Sequence, residues 1–387
     1  MFFFQETNIA FRALRKGLTI LFGFLPVDRK KLVFDNFGGK GFGDDPKYIA
    51  QELLRQDPSL KLYWLVKGEQ TGFPPGIRTV PVGSIRANYH FCTAAVWVDN
   101  IKNLPKPPKR AGQFYLQTWH STLGFKKNEA DAPTLDENYI NKSKADAAKT
   151  DLMYSNNEFR LDKYRNRYWY SGPVIKCDVP RMGILLKPPA GLRETILRSF
   201  DIPAEHKVVL YAPTFRKKTN LDVYRFDLQG CLDALEQKFG GTFTAMIRLH
   251  PNESGRAGEL VPHPSDRVRN ATGYPDMQEL LAACDVLITD YSGCMFDFSI
   301  TGKPVFLLAQ DLPEYLAKDR EAYFQLDQLP FPLAQTSDGL LTDIGEFSEE
   351  HYRESCREFW DSVGLCDSGN GCAVIADLIQ EKLSQWK

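Results

Sequence analysis

The chain has 387 residues, 43% of them hydrophobic and 25% charged, with a formal net charge of −1. That length favours two domains over one, the composition is that of an ordinary globular protein, and a charge so near zero supplies no basic field for nucleic acid. Eight cysteines lie scattered, with neither a CxxC pair nor a zinc-ligand spacing. A disulfide framework is therefore not expected, and Cys92, Cys231, Cys284 and Cys372 read as small core residues in a reducing compartment.

The N-terminus carries the apolar runs Met1-Phe-Phe-Phe and Gly17 to Pro26. The second is shorter than the roughly 20 residues a membrane span needs, and it lacks a small-residue cleavage site. Arg12, Arg15 and Lys16 precede it, and Arg29, Lys30 and Lys31 follow. Basic residues flanking a Phe/Leu-rich helix fit an amphipathic segment over residues 1–30 lying in a membrane interface. A helix packed on the domain fits as well.

From Leu32 onward strand-like and helix-like segments alternate. Leu32 to Phe34 leads into the turn Gly38 to Gly43, and Asp44-Asp-Pro46 opens a helix through Leu54. Leu60 to Val66, Thr79 to Val82, Ala94 to Val98, Phe114 to Gln117 and Leu152 to Ser155 read as further strands. Leu186 to Gly191 is a Pro-rich linker, after which strands recur at Lys207 to Ala212, Phe243 to Ile247, Val286 to Ile288 and Pro304 to Leu308. The stretch from Ser348 reads as helices. Such a series predicts parallel sheets covered by helices, in α/β domains at 31–190 and 191–387 facing each other across a cleft.

Chemistry concentrates at strand ends. Three neighbouring strands of the second series deliver Thr214 and Arg216, then Arg248 and His250, then Ser292 and Gly293 at a helix start. In a parallel sheet such ends converge on one crevice, so hydroxyls, two arginines and a histidine there point to a phosphorylated ligand. Of six histidines, His90, His206, His263 and His351 lack polar company in the sequence. His120 and His250 each end a strand, one in each half. One histidine can take the proton of an acceptor hydroxyl while the other binds phosphate. The turn Gly38 to Gly43 lacks both the dinucleotide fingerprint and GxxxxGK[ST]. It reads as a tight turn, with binding of an acceptor phosphate as the alternative. Asp44-Asp45 reads as a helix cap, and no metal is assigned.

At these residues the chain resembles the CDP-glycerol glycerophosphotransferase family, the teichoic-acid primases and polymerases of bacterial envelopes. The shared elements are Phe34-Asp-Asn-Phe-Gly-Gly-Lys, Asp45-Pro-Lys-Tyr-Ile, Gln117-Thr-Trp-His120, Val179-Pro-Arg181, Tyr211 to Arg216, Arg248 to Pro251, Asp285 to Phe298, and a closing Asp367-Ser-Gly-Asn-Gly-Cys-Ala. The resemblance implies a GT-B-like pair of Rossmann-type domains and transfer of glycerol phosphate or ribitol phosphate from CDP-glycerol or CDP-ribitol. The acceptor would be a hydroxyl of a membrane-linked glycan or polymer, and CMP would leave, at the cytoplasmic face of the plasma membrane and without a cofactor. It further implies His120 as base, Thr214, Arg216, Arg248, His250, Ser292 and Gly293 around the diphosphate, and Asp297 near the donor. Two departures stand out. Ser-Thr-Leu-Gly follows His120 where the family has Gly-Thr-Pro-Leu, and Gly293 replaces a second serine. The rival readings are a GT-B glycosyltransferase using a sugar nucleotide and a non-catalytic scaffold of an envelope-assembly complex. The oligomeric state is open.

Overall fold

The structure is a computed structural model that describes residues 9–102, 104–216, 221–250, 259, 267–318 and 321–385. Residues 1–8 of the amphipathic segment, and His263, lie outside the described residues. Two parallel sheets organise the rest. The first takes β1 (Asp28–Phe34), β2 (Lys61–Val66), β3 (Ile77–Pro81), β4 (Ala94–Asp99), β5 (Phe114–Gln117), β6 (Leu152–Ser155) and β7 (Val174–Lys176) in the order β3-β2-β1-β4-β5-β6-β7. The second takes β8 (Lys207–Tyr211), β9 (Phe243–Ile247), β10 (Val268–Asn270), β11 (Val286–Thr289), β12 (Val305–Leu308) and β13 (Leu333–Ala334) in the order β10-β9-β8-β11-β12-β13.

Central strands are short runs of β-branched and aromatic residues, such as Ala94-Ala-Val-Trp-Val-Asp99, buried along their whole length. That pattern belongs to strands covered on both faces. Leu32 pairs in register with Leu62 on one side and Val96 on the other. Both sheets reverse their direction of growth once, between β1 and β4 and between β8 and β11. In open parallel sheets the crevice at that reversal, outside the carboxyl ends of the strands, is where ligands bind.

The chain divides into two compact units, and the division departs from the expected boundary at 190/191. Unit 1 comprises residues up to His120, Glu129–Arg181 and Cys366 onward; unit 2 comprises Ser121–Asn128 and Met182–Leu365. The closing segment belongs to unit 1 because its polar groups are spent there. Asp367 Oδ2 accepts from Asn156 Nδ2 (2.9 Å) and from the backbone N–H of Val179 (3.0 Å). Asp178 Oδ2 accepts from the N–H groups of Ser368 (3.0 Å) and Asn370 (2.9 Å). The helix Gly371–Gln385 then packs on the helix Asp44–Gln56. The Asp-Gly segment shared with the family is thus a clasp over the backbone at 178–180. Residues 121–128, which carry the departure after His120, join unit 2, where the N–H of Lys127 donates to Glu321 O (2.8 Å) and that of Tyr323 to Phe125 O (2.9 Å). Leu123 is fully buried there.

The helix Ile9–Gly23 packs on the helix Ile85–Thr93 in unit 1: Phe22 meets Tyr89 edge-on at 5.4 Å, and Asn88 Nδ2 donates to Thr19 Oγ1 (2.7 Å). Its other side leaves Leu14, Ile20, Leu21 and the following Phe24 exposed, Phe24 by 82%.

A Cβ on Gly371 would overlap the carbonyl of Val179 and the nitrogen of Pro180. Backbone cannot yield as a flexible side chain does, so Gly371→Ala is expected to destabilise unit 1 by about 1–3 kcal/mol. Urea unfolding checks this, and an unchanged midpoint would mean that the clasp is not closed in solution.

Candidate active site

In unit 1 the strands flanking the reversal, β1 and β4, run into Asp35-Asn36 and Asp99-Asn100, all four buried. Asn100 spends every polar atom of its side chain. Its Oδ1 accepts from the N–H of Phe37 (2.8 Å), and its Nδ2 donates to Asn36 Oδ1 (2.8 Å) and Asp44 Oδ2 (2.9 Å). Its backbone carbonyl accepts from His120 Nδ1 at 2.8 Å. A carbonyl cannot donate, so Nδ1 carries the proton and Nε2 holds the lone pair. His120 lies half-buried just beyond β5, its ring 4.3 Å from that of Trp119 and 5.3 Å from Phe37. Burial pulls its pKa below the usual histidine value; the Asn100 carbonyl and Asp44 oppose that pull, while Arg181 and Arg160 add to it.

The turn Gly38 to Gly43 is a tight turn. Gly38 N–H donates to Asp35 Oδ2 (2.8 Å), those of Gly39 and Lys40 to Asn36 O (3.0 and 2.8 Å), and that of Gly41 to Gln70 Oε1 (3.0 Å). Four successive donors are thus spent inside the protein. At Gly39, with φ of 87°, a Cβ would press on the backbone of Val66 and Lys67. Beneath the turn, Lys106 Nζ lies 2.6 Å from Asp99 and 2.5 Å from Asp146. Burial and the neighbouring Asp99 hold the Asp35 carboxyl well above the usual carboxylate range.

In unit 2, β8, β11 and β9 are neighbours, so Thr214, Arg216, Ser292, Gly293, Arg248 and His250 do leave adjacent strand ends. Their surroundings differ. Arg216 is buried and committed: Nη2 donates to Asp290 Oδ2 (2.8 Å) and Asp311 Oδ1 (2.9 Å), Nε to Asp311 Oδ2 (2.7 Å), and Nη1 to the Thr214 carbonyl (2.6 Å). Four of its five N–H groups are thereby used. Its guanidinium also stands 4.7 Å from the ring centre of Tyr291, which stacks on Tyr315 at 3.6 Å. Asp290 Oδ1 in turn accepts from the N–H groups of Thr214 (2.8 Å) and Tyr291 (2.6 Å). Arg248 is different: its buried Nη1 meets no acceptor among the described residues, and Thr214 Oγ1 is in the same position. Burial lowers the Arg248 pKa, against Asp276. His250 is exposed, 5.5 Å from the Phe215 ring.

Ser292 Oγ accepts weakly from Cys294 N at 3.5 Å. Nothing lies within 4 Å of where a Cβ on Gly293 would sit, so a serine would fit there and that departure is sterically neutral. Asp297 is buried and accepts from Gln278 Nε2 at 2.7 Å, tying the helix Cys294–Ser299 to the helix Met277–Ala283. Sequence reasoning missed Asn100, Asp290 and Asp311. The first two directly follow apolar strands, which was signal enough to suspect them, whereas Asp311 carries none.

Residues 18–381 match the family described as CDP-Glycerol:Poly(glycerophosphate) glycerophosphotransferase. The chain belongs to this family. It is 27% identical over 373 residues to a teichoic acid poly(glycerol phosphate) polymerase of Staphylococcus epidermidis, covering 93% of this chain and 52% of that one. Against the polymerase of the same description from Bacillus subtilis it is 28% identical over 380 residues, covering 94% and 50%. The chain thus spans about half the length of these two relatives. A solved structure of the wall teichoic acid polymerase TagF, soaked with CDPG, superposes with a TM-score of 0.83 at 26% identity, covering 98% of this chain and 96% of that one.

The two arginines should separate in mutagenesis. Arg216→Ala leaves the buried Asp290 and the half-buried Asp311 without their cation, a loss of about 3–5 kcal/mol by analogy with broken buried pairs. Arg248→Ala is expected to leave the unfolding midpoint within a degree or two of wild type while weakening retention of a nucleoside diphosphate. Paired thermal melts and calorimetric titrations check this; equal melting losses would contradict it.

Proposed function

We propose that the chain transfers glycerol phosphate or ribitol phosphate from a CDP-polyol to a hydroxyl of a membrane-linked glycan or polymer, releasing CMP. The observation that carries the reading is the free Nε2 of His120, left unprotonated by the bond from Nδ1 to the Asn100 carbonyl, in a chain of this family. The acceptor O–H gives its proton to Nε2. Its oxygen bonds to the phosphorus bearing the polyol, and the bond from that phosphorus to the CMP oxygen breaks, the electron pair leaving with CMP.

Transfers of this kind depend on positioning and on stabilising charge. The donor's diphosphate is assigned to Arg248, Thr214, His250, Ser292 and Gly293. Arg248 and Thr214 bring polar atoms that meet no partner among the described residues. In this reading Arg216 and Asp297 shape the strand-end loops, through Asp290 and Gln278, instead of binding the donor directly. The TagF structure soaked with CDPG supports a CDP-polyol donor by likeness.

We further infer that the N-terminal helix rests on the membrane surface. The helix and the residues after it leave Ile20, Leu21 and Phe24 exposed along with Lys16 and, at the start of β1, Arg29, a mix of apolar and basic groups that suits an anionic headgroup layer. Among the described residues no helix is long and apolar enough to cross a membrane. Leu21→Asp/Phe24→Asp is expected to abolish co-sedimentation with phosphatidylglycerol vesicles and to spare the melting temperature. Sedimentation equal to wild type would count against the helix.

CMP release from CDP-glycerol and CDP-ribitol, with a membrane extract as acceptor, tests the reaction. His120→Ala is expected to lose about 10²–10⁴-fold in rate, the usual worth of a general base, with donor affinity retained. Because burial disfavours the imidazolium, the acid limb of kcat should lie below the usual histidine range, the rate falling as pH drops through the lowered pKa. Release of a nucleoside diphosphate from sugar nucleotides instead would overturn the reading.

A further inference from the structure

We propose that Asp44, acting through the side chain of Asn100, is a positioning residue that holds His120 in its Nδ1–H tautomer and steadies the imidazolium formed when Nε2 takes the acceptor's proton. The proposal rests on the reading of His120 as the base.

The carboxylate of Asp44 is fully engaged. Oδ1 accepts from the N–H of Asp45 (2.9 Å) and from Arg181 Nη1 (2.9 Å), and Oδ2 accepts from Asn100 Nδ2 (2.9 Å). The amide of Asn100 is held between this carboxylate and the loop after β1, through Asn36 Oδ1 and the N–H of Phe37. Held at its side chain, Asn100 can aim its carbonyl only one way, and that carbonyl receives His120 Nδ1–H at 2.8 Å. The link from carboxylate to amide to carbonyl to imidazole thus passes through the covalent frame of the buried Asn100, which transmits position, while the charge of the half-buried Asp44 acts on the imidazole through space. A carboxylate that orients a histidine and stabilises its cation is the logic of an acid–base pair, exercised here through an intervening asparagine.

Backbone conformation supports the same cluster. Phe37, Asp44 and Trp119 have φ of 48°, 57° and 58°, left-handed values that a side chain with a Cβ adopts only when its surroundings impose them. They are half of the non-glycine residues in that state among the described residues, and all three adjoin or bond to Asn100 or His120. The ionisable groups facing His120 are Asp44 from the helix Asp44–Gln56, Arg181 ahead of unit 2, and Arg160 from the helix Glu158–Arg167. Of these only Asp44 favours the cation.

Removing its charge should therefore lower the histidine's pKa further. In Asp44→Asn, the titration of ring-¹⁵N-labelled His120 is expected to move to lower pH, its Nδ1–H population to fall, and the acid limb of kcat to move with it. The plateau kcat should drop by less than the His120→Ala loss, with KM for CDP-glycerol unchanged. Asp44→Gly guards against a folding failure, because glycine accepts a φ of 57° without strain while deleting the carboxylate. Loss of the buried pair with Arg181 should lower its melting temperature, and below that transition the folded protein should give the same spectral shift. A His120 titration and tautomer identical to wild type in both variants would overturn the relay, whatever happened to kcat. Failure of the base reading would show separately, as wild-type CMP release from His120→Ala.

Discussion

A parallel sheet that reverses its direction of growth must part the two loops at the reversal, and the polar groups at those strand ends still have to be satisfied. Both units meet this constraint with one strand-end side chain that reaches across the gap. In unit 1 it is Asn100, which bonds the loop after β1 and the start of the next helix. In unit 2 it is Asp290, which takes the N–H of Thr214 from the loop after β8 and the guanidinium of Arg216. A buried amide left unsatisfied costs about 1–3 kcal/mol, and more for a charge. These two residues therefore fix the geometry of everything bonded to them.

What each bridge positions differs in chemistry. Asn100 gives His120 a defined tautomer, with the proton on Nδ1 and the lone pair on Nε2. Asp290 and Asp311 take most of the donors of Arg216, whereas Arg248 Nη1 meets no acceptor among the described residues. Affinity for an anion comes from such unspent groups, because a guanidinium saturated by two carboxylates has little to offer a diphosphate. The same accounting explains the glycine-rich turn, whose N–H groups are consumed by Asp35, Asn36 and Gln70.

Much of the fold was legible because central parallel strands are short apolar runs set off by turns. The strands passed over, β7, β10 and β13, are three of the four sheet edges. At two or three residues each they have no apolar run to recognise, which is also how edges avoid unwanted pairing. The helix Gly371–Gln385 was recognised as a helix, yet its return to unit 1 depends on bonds from Asp367 to Asn156 and Val179, about 200 residues away. At the candidate site, residue types at strand ends pointed to His120, Arg248, Thr214 and Arg216, but not to what each side chain bonds. Roles set by partners distant in sequence, as for Arg216 with Asp311, could not be read from spacing.

The central claim is that the bond formed joins a phosphopolyol to an acceptor hydroxyl. The most direct test is ³¹P NMR of acceptor recovered after incubation with CDP-glycerol or CDP-ribitol. The account predicts a new phosphodiester resonance on the acceptor, in equal amount to the CMP released. CMP without that resonance would mean hydrolysis, and acceptor that gains a sugar but no phosphorus would contradict the account outright.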